Sequence, residues 1–134
     1  MNTQILTIEK FETYLLDVPI IRPHVMSMTT MHAQNIVLLK ITFSDGEQGI
    51  GEATTVGGQS YGEESPESIK RNIDTYLTPL LVGQPSANIN LLRTRMSRHV
   101  RGNAIAKSAL ETALLDAQGK RLGLSVAALL GGAQ

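Results

Sequence analysis

No part of the chain limits its possible folds more than Ser44 to Ser65, SDGEQGIGEATTVGGQSYGEES. The Asp45-Gly46 pair can take the positive φ of a tight hairpin turn, so the runs on either side are predicted to pair antiparallel. The run before it, Asn35 to Ser44, is an apolar string of β-formers followed by alternation. Gln48 to Thr55 returns beside it, and a glycine-rich loop, Ala53 to Gly62, leaves at its end. Upstream, Ile5 to Val18 is β-branched and aromatic, but Ile8, Phe11 and Leu15 do not keep one parity. That pattern predicts a strand with a bulge near Glu9-Lys10, stopping at Pro19, which has no ladder donor. Ile20 to Gln34 shows neither the two-residue nor the 3.6-residue period and is predicted to be a second long loop.

Three strands with one apolar face need a cover, and the second half of the chain supplies helices. Ser65-Pro66-Glu67 reads as cap, first helical residue and acid at the positive end of the dipole. Ile69, Ile73, Tyr76, Leu77 and Leu80 form its expected stripe, with Pro79 kinking or ending the helix near Leu77. A second helix is expected from Asn88, with Ile89, Leu92, Met96 and Val100 inward, Arg93, Arg95, Arg98 and Arg101 outward, and Gly102 as its stop. A third, Asn103 to Leu122, presents an alanine-rich face that permits close packing and stops at Gly123. Ser125 to Leu130 adds a possible further turn. The class is therefore α+β: a three-stranded antiparallel meander followed by three to four helices.

The 12 Lys+Arg balance the 12 Asp+Glu, and no run of like charges suggests a nucleic-acid or membrane partner. The chain has no cysteine, which excludes disulfides, thiolate metal sites and a Cys nucleophile. The Met1–Gln4 start lacks the features of a signal peptide, and no apolar stretch approaches the ~20 residues that span a bilayer. A cytoplasmic location is the expectation.

The chemistry-bearing residues are few. Gly49-Ile50-Gly51 lacks the third glycine and following helix of a dinucleotide site, and Gly57-Gly58 lacks the Lys-Ser/Thr of a phosphate loop. Glu52, at a strand exit, reads as a loop anchor through backbone N–H groups or as a general base. His24, His32 and His99 have no spacing that suits a metal. His24 next to Arg22 can meet an anionic ligand, and Tyr61 among glycines can cover a ligand or pin its loop. Met26, Met28 and Met31 suit an adaptable lid or plain packing. No nucleophile, base and orienter occur together.

Three segments together resemble one family: Pro19-Ile20-Ile21-Arg22-Pro23-His24; Ser44 to Glu67; and NAIAKSALETALLDAQGKRLGLSVAALLGG from Asn103 to Gly132. They are similar to the amino-terminal capping domain of the muconate cycloisomerases (muconate lactonizing enzymes) of the enolase superfamily. The resemblance implies a capping unit over residues 1–128, with 129–134 opening a linker to a (β/α)₈-type barrel that this sequence does not contain. It also implies two specificity loops, here Ile21–Asn35 and Ala53–Gly62, and substrate contacts from His24, Val56 and Tyr61, with Ile21 as a further candidate.

The same resemblance puts the catalytic residues and the ligands for Mn²⁺ or Mg²⁺ in the barrel, and none of either in this chain. The implied activity of the full-length isomerase is conversion of cis,cis-muconate, a small dicarboxylate, to muconolactone through a metal-stabilised enolate in aromatic catabolism (the β-ketoadipate pathway). The implied assembly is a homo-oligomer, and the cap alone is expected to be inactive. Chloromuconate cycloisomerase, dipeptide epimerase, succinylbenzoate synthase and a free-standing α+β interaction module are the alternatives.

Overall fold

A computed structural model describes residues 5–132; the Met1–Gln4 start considered above lies outside them. Three strands, β1 (Ile8–Val25), β2 (Thr30–Phe43) and β3 (Gln48–Thr54), form an antiparallel sheet in the order β1-β2-β3. Gly46 takes φ +83°, and the Phe43 and Glu47 backbones bond across the turn at 3.0 Å. The expected meander and its Asp-Gly hairpin are therefore present. The register slips between Ile8 and Lys10, where a bulge is expected.

β1 does not stop at Pro19, and Ile20 to Gln34 is not a loop. β1 and β2 continue as a hairpin arm, with Pro19 opposite Ala33 and, after a further slip, His24 opposite Met31. Only residues 26–29 turn, closed by the Met26 N–H on the Thr29 carbonyl at 2.9 Å. Alternation along the strand explains why the proline is tolerated. Thr13, six residues earlier in unbroken register, offers its carbonyl to Lys70 Nζ at 3.2 Å, away from β2. Pro19 shares that parity, so its missing donor falls on the open side of an edge strand. The arm shows no period because little of it is buried: Ile21 and Val25 stand in solvent.

The core lies between one face of the sheet and the helices. Val37, Leu39, Ile41 and Phe43 from β2 meet helical side chains there, all nearly inaccessible. The first helical run is α1 (Pro66–Asn72), a π turn (Ile73–Leu77) and α2 (Thr78–Leu81). Ser65 caps it, with Ser65 and Ser68 exchanging side-chain-to-backbone bonds. Pro79 does not end the helix at Leu77. The Thr78 N–H reaches back five residues to the Ile73 carbonyl, and this widened turn accommodates a proline that an unbroken α-helix would resist. The extra residue also rotates the stripe: Ile69, Ile73, Leu77 and Leu81 are buried, whereas Leu80 is half-buried and Tyr76 exposed.

α3 (Ile89–His99) is capped by Asn88, buries Leu92 and Met96, and leaves Arg93, Arg95 and Arg98 exposed, as is Arg101 just beyond it, as expected. It ends at His99, with Val100 in extended conformation as its cap, before Gly102 is reached. α4 (Ala104–Leu122) stops on Gly123 at φ +65°, and a short α5 (Val126–Leu129) starts on Ser125.

α4 explains the Gly-x-Gly. A Cβ at Gly49 would lie 2.0 Å from the Ala113 carbonyl oxygen, and one at Gly51 would lie 2.1 Å from that of Ala109. These glycines, with Ala109, Ala113 and Ala117, bring a helix backbone onto a strand backbone. α4 also satisfies the open edge of β3: Ile50 N–H donates to Asp116 Oδ2 at 2.8 Å and Lys120 Nζ to the Gln48 carbonyl at 2.9 Å. Burial raises the Asp116 carboxyl, but the Lys120 ammonium and the Ile50 amide outweigh it and hold it below its ordinary value.

Candidate functional site

The hairpin arm and the segment leaving β3 enclose a cleft of about 610 Å³. Its walls are Pro19 to His24 from β1, Met31 and Gln34 from β2, and Val56 just past β3. Strand alternation and the slip after Pro19 place Ile21, His24 and Val56 around one space although 35 residues separate the first from the last. Apolar side chains, Pro19, Ile20, Ile21, Met31 and Val56, make most of the wall. Arg22 is its fixed positive charge, and His24 adds an imidazole beside it.

Gln34 ties the two walls together. Its Nε2 donates to the Thr55 carbonyl at 2.8 Å and to the Thr54 hydroxyl. The segment that follows is shorter than Ala53–Gly62, because Ala53 and Thr54 belong to β3. Gly57 and Gly58 both take left-handed backbone, and Ser60 N–H closes a turn on the Gly57 carbonyl at 3.0 Å. Tyr61 stands 74% exposed on this loop and does not line the cleft. Val56 is half-exposed at the rim, and Ile21 is fully in solvent.

Glu52 anchors nothing: it lies exposed in β3, and its carboxylate has no hydrogen-bond partner among the described residues. The anchoring acid is Glu64, which sequence reasoning missed. It is 7% exposed, and its two oxygens accept Ile105 N–H at 2.9 Å and Ala106 N–H at 3.1 Å, at the start of α4. The clue is Asn103, which occupies the N-cap position of α4 at φ +54° and gives no side-chain cap of its own. No three His, Asp or Glu side chains gather to hold a metal among the described residues. No described helix is long and apolar enough to cross a membrane.

The site is thus a half-open cleft, apolar with a cationic rim. Comparison with known proteins agrees with the fold. Residues 10–131 match the family model described as mandelate racemase / muconate lactonizing enzyme, N-terminal domain. Muconate cycloisomerase 1 of Pseudomonas putida is 55% identical over 93% of this chain and 34% of its own length. A chloromuconate cycloisomerase of Delftia acidovorans is 46% identical over 93% of the chain and 34% of its length. The crystal structure of the muconate lactonizing enzyme of Pseudomonas fluorescens complexed with muconolactone superposes with a TM-score of 0.93. It is 53% identical, over 96% of this chain and 35% of that one. The chain therefore spans about a third of the length of the relatives it matches.

Proposed function

Since the chain belongs to the mandelate racemase / muconate lactonizing enzyme N-terminal domain family, we propose that it is the substrate-selecting cap of a muconate cycloisomerase. The cleft that brings Ile21, His24 and Val56 together carries this reading. Its Arg22 and His24 rim suits a carboxylate, and its apolar wall excludes water from a short unsaturated chain between two carboxylates. The higher identity to a muconate than to a chloromuconate enzyme favours the unsubstituted dicarboxylate.

In this reading the cap binds, orients and shields, and the reacting atoms are handled by a barrel domain joined to it. Mn²⁺ or Mg²⁺ held by that barrel would stabilise the enolate charge. The residues of this chain have a smaller task. Arg22 and His24 hold one carboxylate at the rim, and Val56 limits the width available beside the diene. The working form is a cytoplasmic homo-oligomer of the joined protein, and the cap alone is inactive.

The test follows loss of the diene absorbance of cis,cis-muconate with Mn²⁺ present, for the 134-residue chain and for the same chain joined to its barrel. Turnover by the joined protein only is the expected result. Turnover by the cap alone overturns the division of labour. A joined protein that ignores muconate but converts a chlorinated muconate, a dipeptide or a succinylbenzoate precursor overturns the substrate.

A further inference from the structure

The segment from Thr55 to Glu64 is tied to the rest of the fold at its two ends, and between them it bonds to itself, Ser60 N–H to the Gly57 carbonyl and Gln59 Nε2 to the Glu63 carbonyl. Gln34 fixes its start through the Thr55 carbonyl. Gly57 lets it pass close to the hairpin turn: at φ +62° it takes left-handed backbone, and a Cβ there would lie 2.5 Å from the Thr29 methyl. Glu64 fixes its end, clamping the first amides of α4 with both carboxylate oxygens from 41 and 42 residues upstream. A helix is ordinarily capped by its own preceding residues. Here Asn103 is turned into the left-handed region, and the orphan amides and positive dipole of α4 are answered by the lid segment instead.

We propose that Glu64 is a positioning residue for the cleft. By capping α4 from a distance it fixes the lower end of the lid, and so sets where Tyr61 stands at the mouth of the site. The part that concerns a ligand rests on the proposed function; the fastening of the lid does not. Gln34 and Glu64 act in series, one holding the lid to the hairpin arm and the other to the helix layer.

Tyr61 is exposed, so limited chymotrypsin cleavage after it, mapped by mass, reports lid release directly. Glu64→Gln keeps the side-chain shape but turns an NH₂ group toward an amide donor. Asn88→Ala removes the side-chain cap of α3 and lowers global stability without touching the lid. Compared at matched distance below their melting temperatures, Glu64→Gln is cut after Tyr61 about ten-fold faster than the parent, and Asn88→Ala at the parent rate. Equal acceleration in both variants, or none in Glu64→Gln, overturns the proposal. In the joined enzyme, Glu64→Gln raises KM for muconate about ten-fold with kcat within about two-fold, as expected where ligand binding alone has been disturbed. A fall in kcat with KM unchanged overturns the ligand part. If the parent enzyme does not turn over muconate, the proposed function fails, and the cleavage experiment still decides whether Glu64 fastens the lid.

Discussion

Gly51 has no side chain, yet its substitution is the most direct probe of how α4 meets the sheet. Gly51→Ala would drive a Cβ into the Ala109 carbonyl. We expect a loss of about 3 kcal/mol in urea unfolding, since the obstacle is backbone; a loss below about 0.5 kcal/mol would mean that α4 can retreat from β3. Asp45 probes the turn at the other end of β3. Hydrogen bonds from Arg121, at 2.8 and 2.9 Å, bring its carboxyl down from 3.8 to about 2, with help from the Glu47 amide. A depressed carboxylate contributes stability that is complete above the unfolded value and lost as pH falls through the folded one. The melting temperature should therefore decline between about pH 4 and pH 2, and Asp45→Asn should flatten that decline. Val56 tests the cleft: under the proposed function, Val56→Ala raises kcat/KM for a chlorinated muconate relative to muconate by about ten-fold, read from paired progress curves.

Among the elements, the helical run from Pro66 to Leu81 separates what sequence reveals from what it does not. If the π turn rotates the stripe as described, Leu81→Ala costs about 2–5 kcal/mol while Tyr76→Ala stays within about 0.5 kcal/mol. Comparable losses from both would restore the unrotated helix. The Ser65 start of this run was legible because capping is chemically local, as were the Asp45-Gly46 hairpin and the Gly123 stop of α4. Pro79 announced a disturbance near Leu77 but not its form, because the relief is a backbone bond to Ile73, which no residue type announces. The hairpin arm was hidden for a different reason: a ribbon that buries little beyond Met31 carries no alternation. Its outcome for the site was mixed. Ile21, His24 and Val56 line one cleft, Tyr61 stands apart, and Glu64 was missed because its partners lie more than 40 residues away.

For the whole molecule, the face of the sheet opposite the helices matters most. Tyr14, Leu16, Val18 and Ile50 are all about 40% exposed there, flanking half-buried Ile36 and Leu38. Apolar area of this kind draws molecules together. Sedimentation velocity of the 134-residue chain should show concentration-dependent association that Leu16→Lys weakens, and a monomer at every concentration would count against it. The form of that association is restricted by the treatment of the sheet borders. Along β1, Ile8 is bonded to Gln84 and Gly83, the Thr13 carbonyl is taken by Lys70, and Pro19 has nothing to donate. Along β3, Asp116 and Lys120 occupy the groups of Ile50 and Gln48. An arriving strand would find its docking row interrupted on both sides, so the protein can cluster through its flat face without seeding the endless cross-β stacking of a fibril.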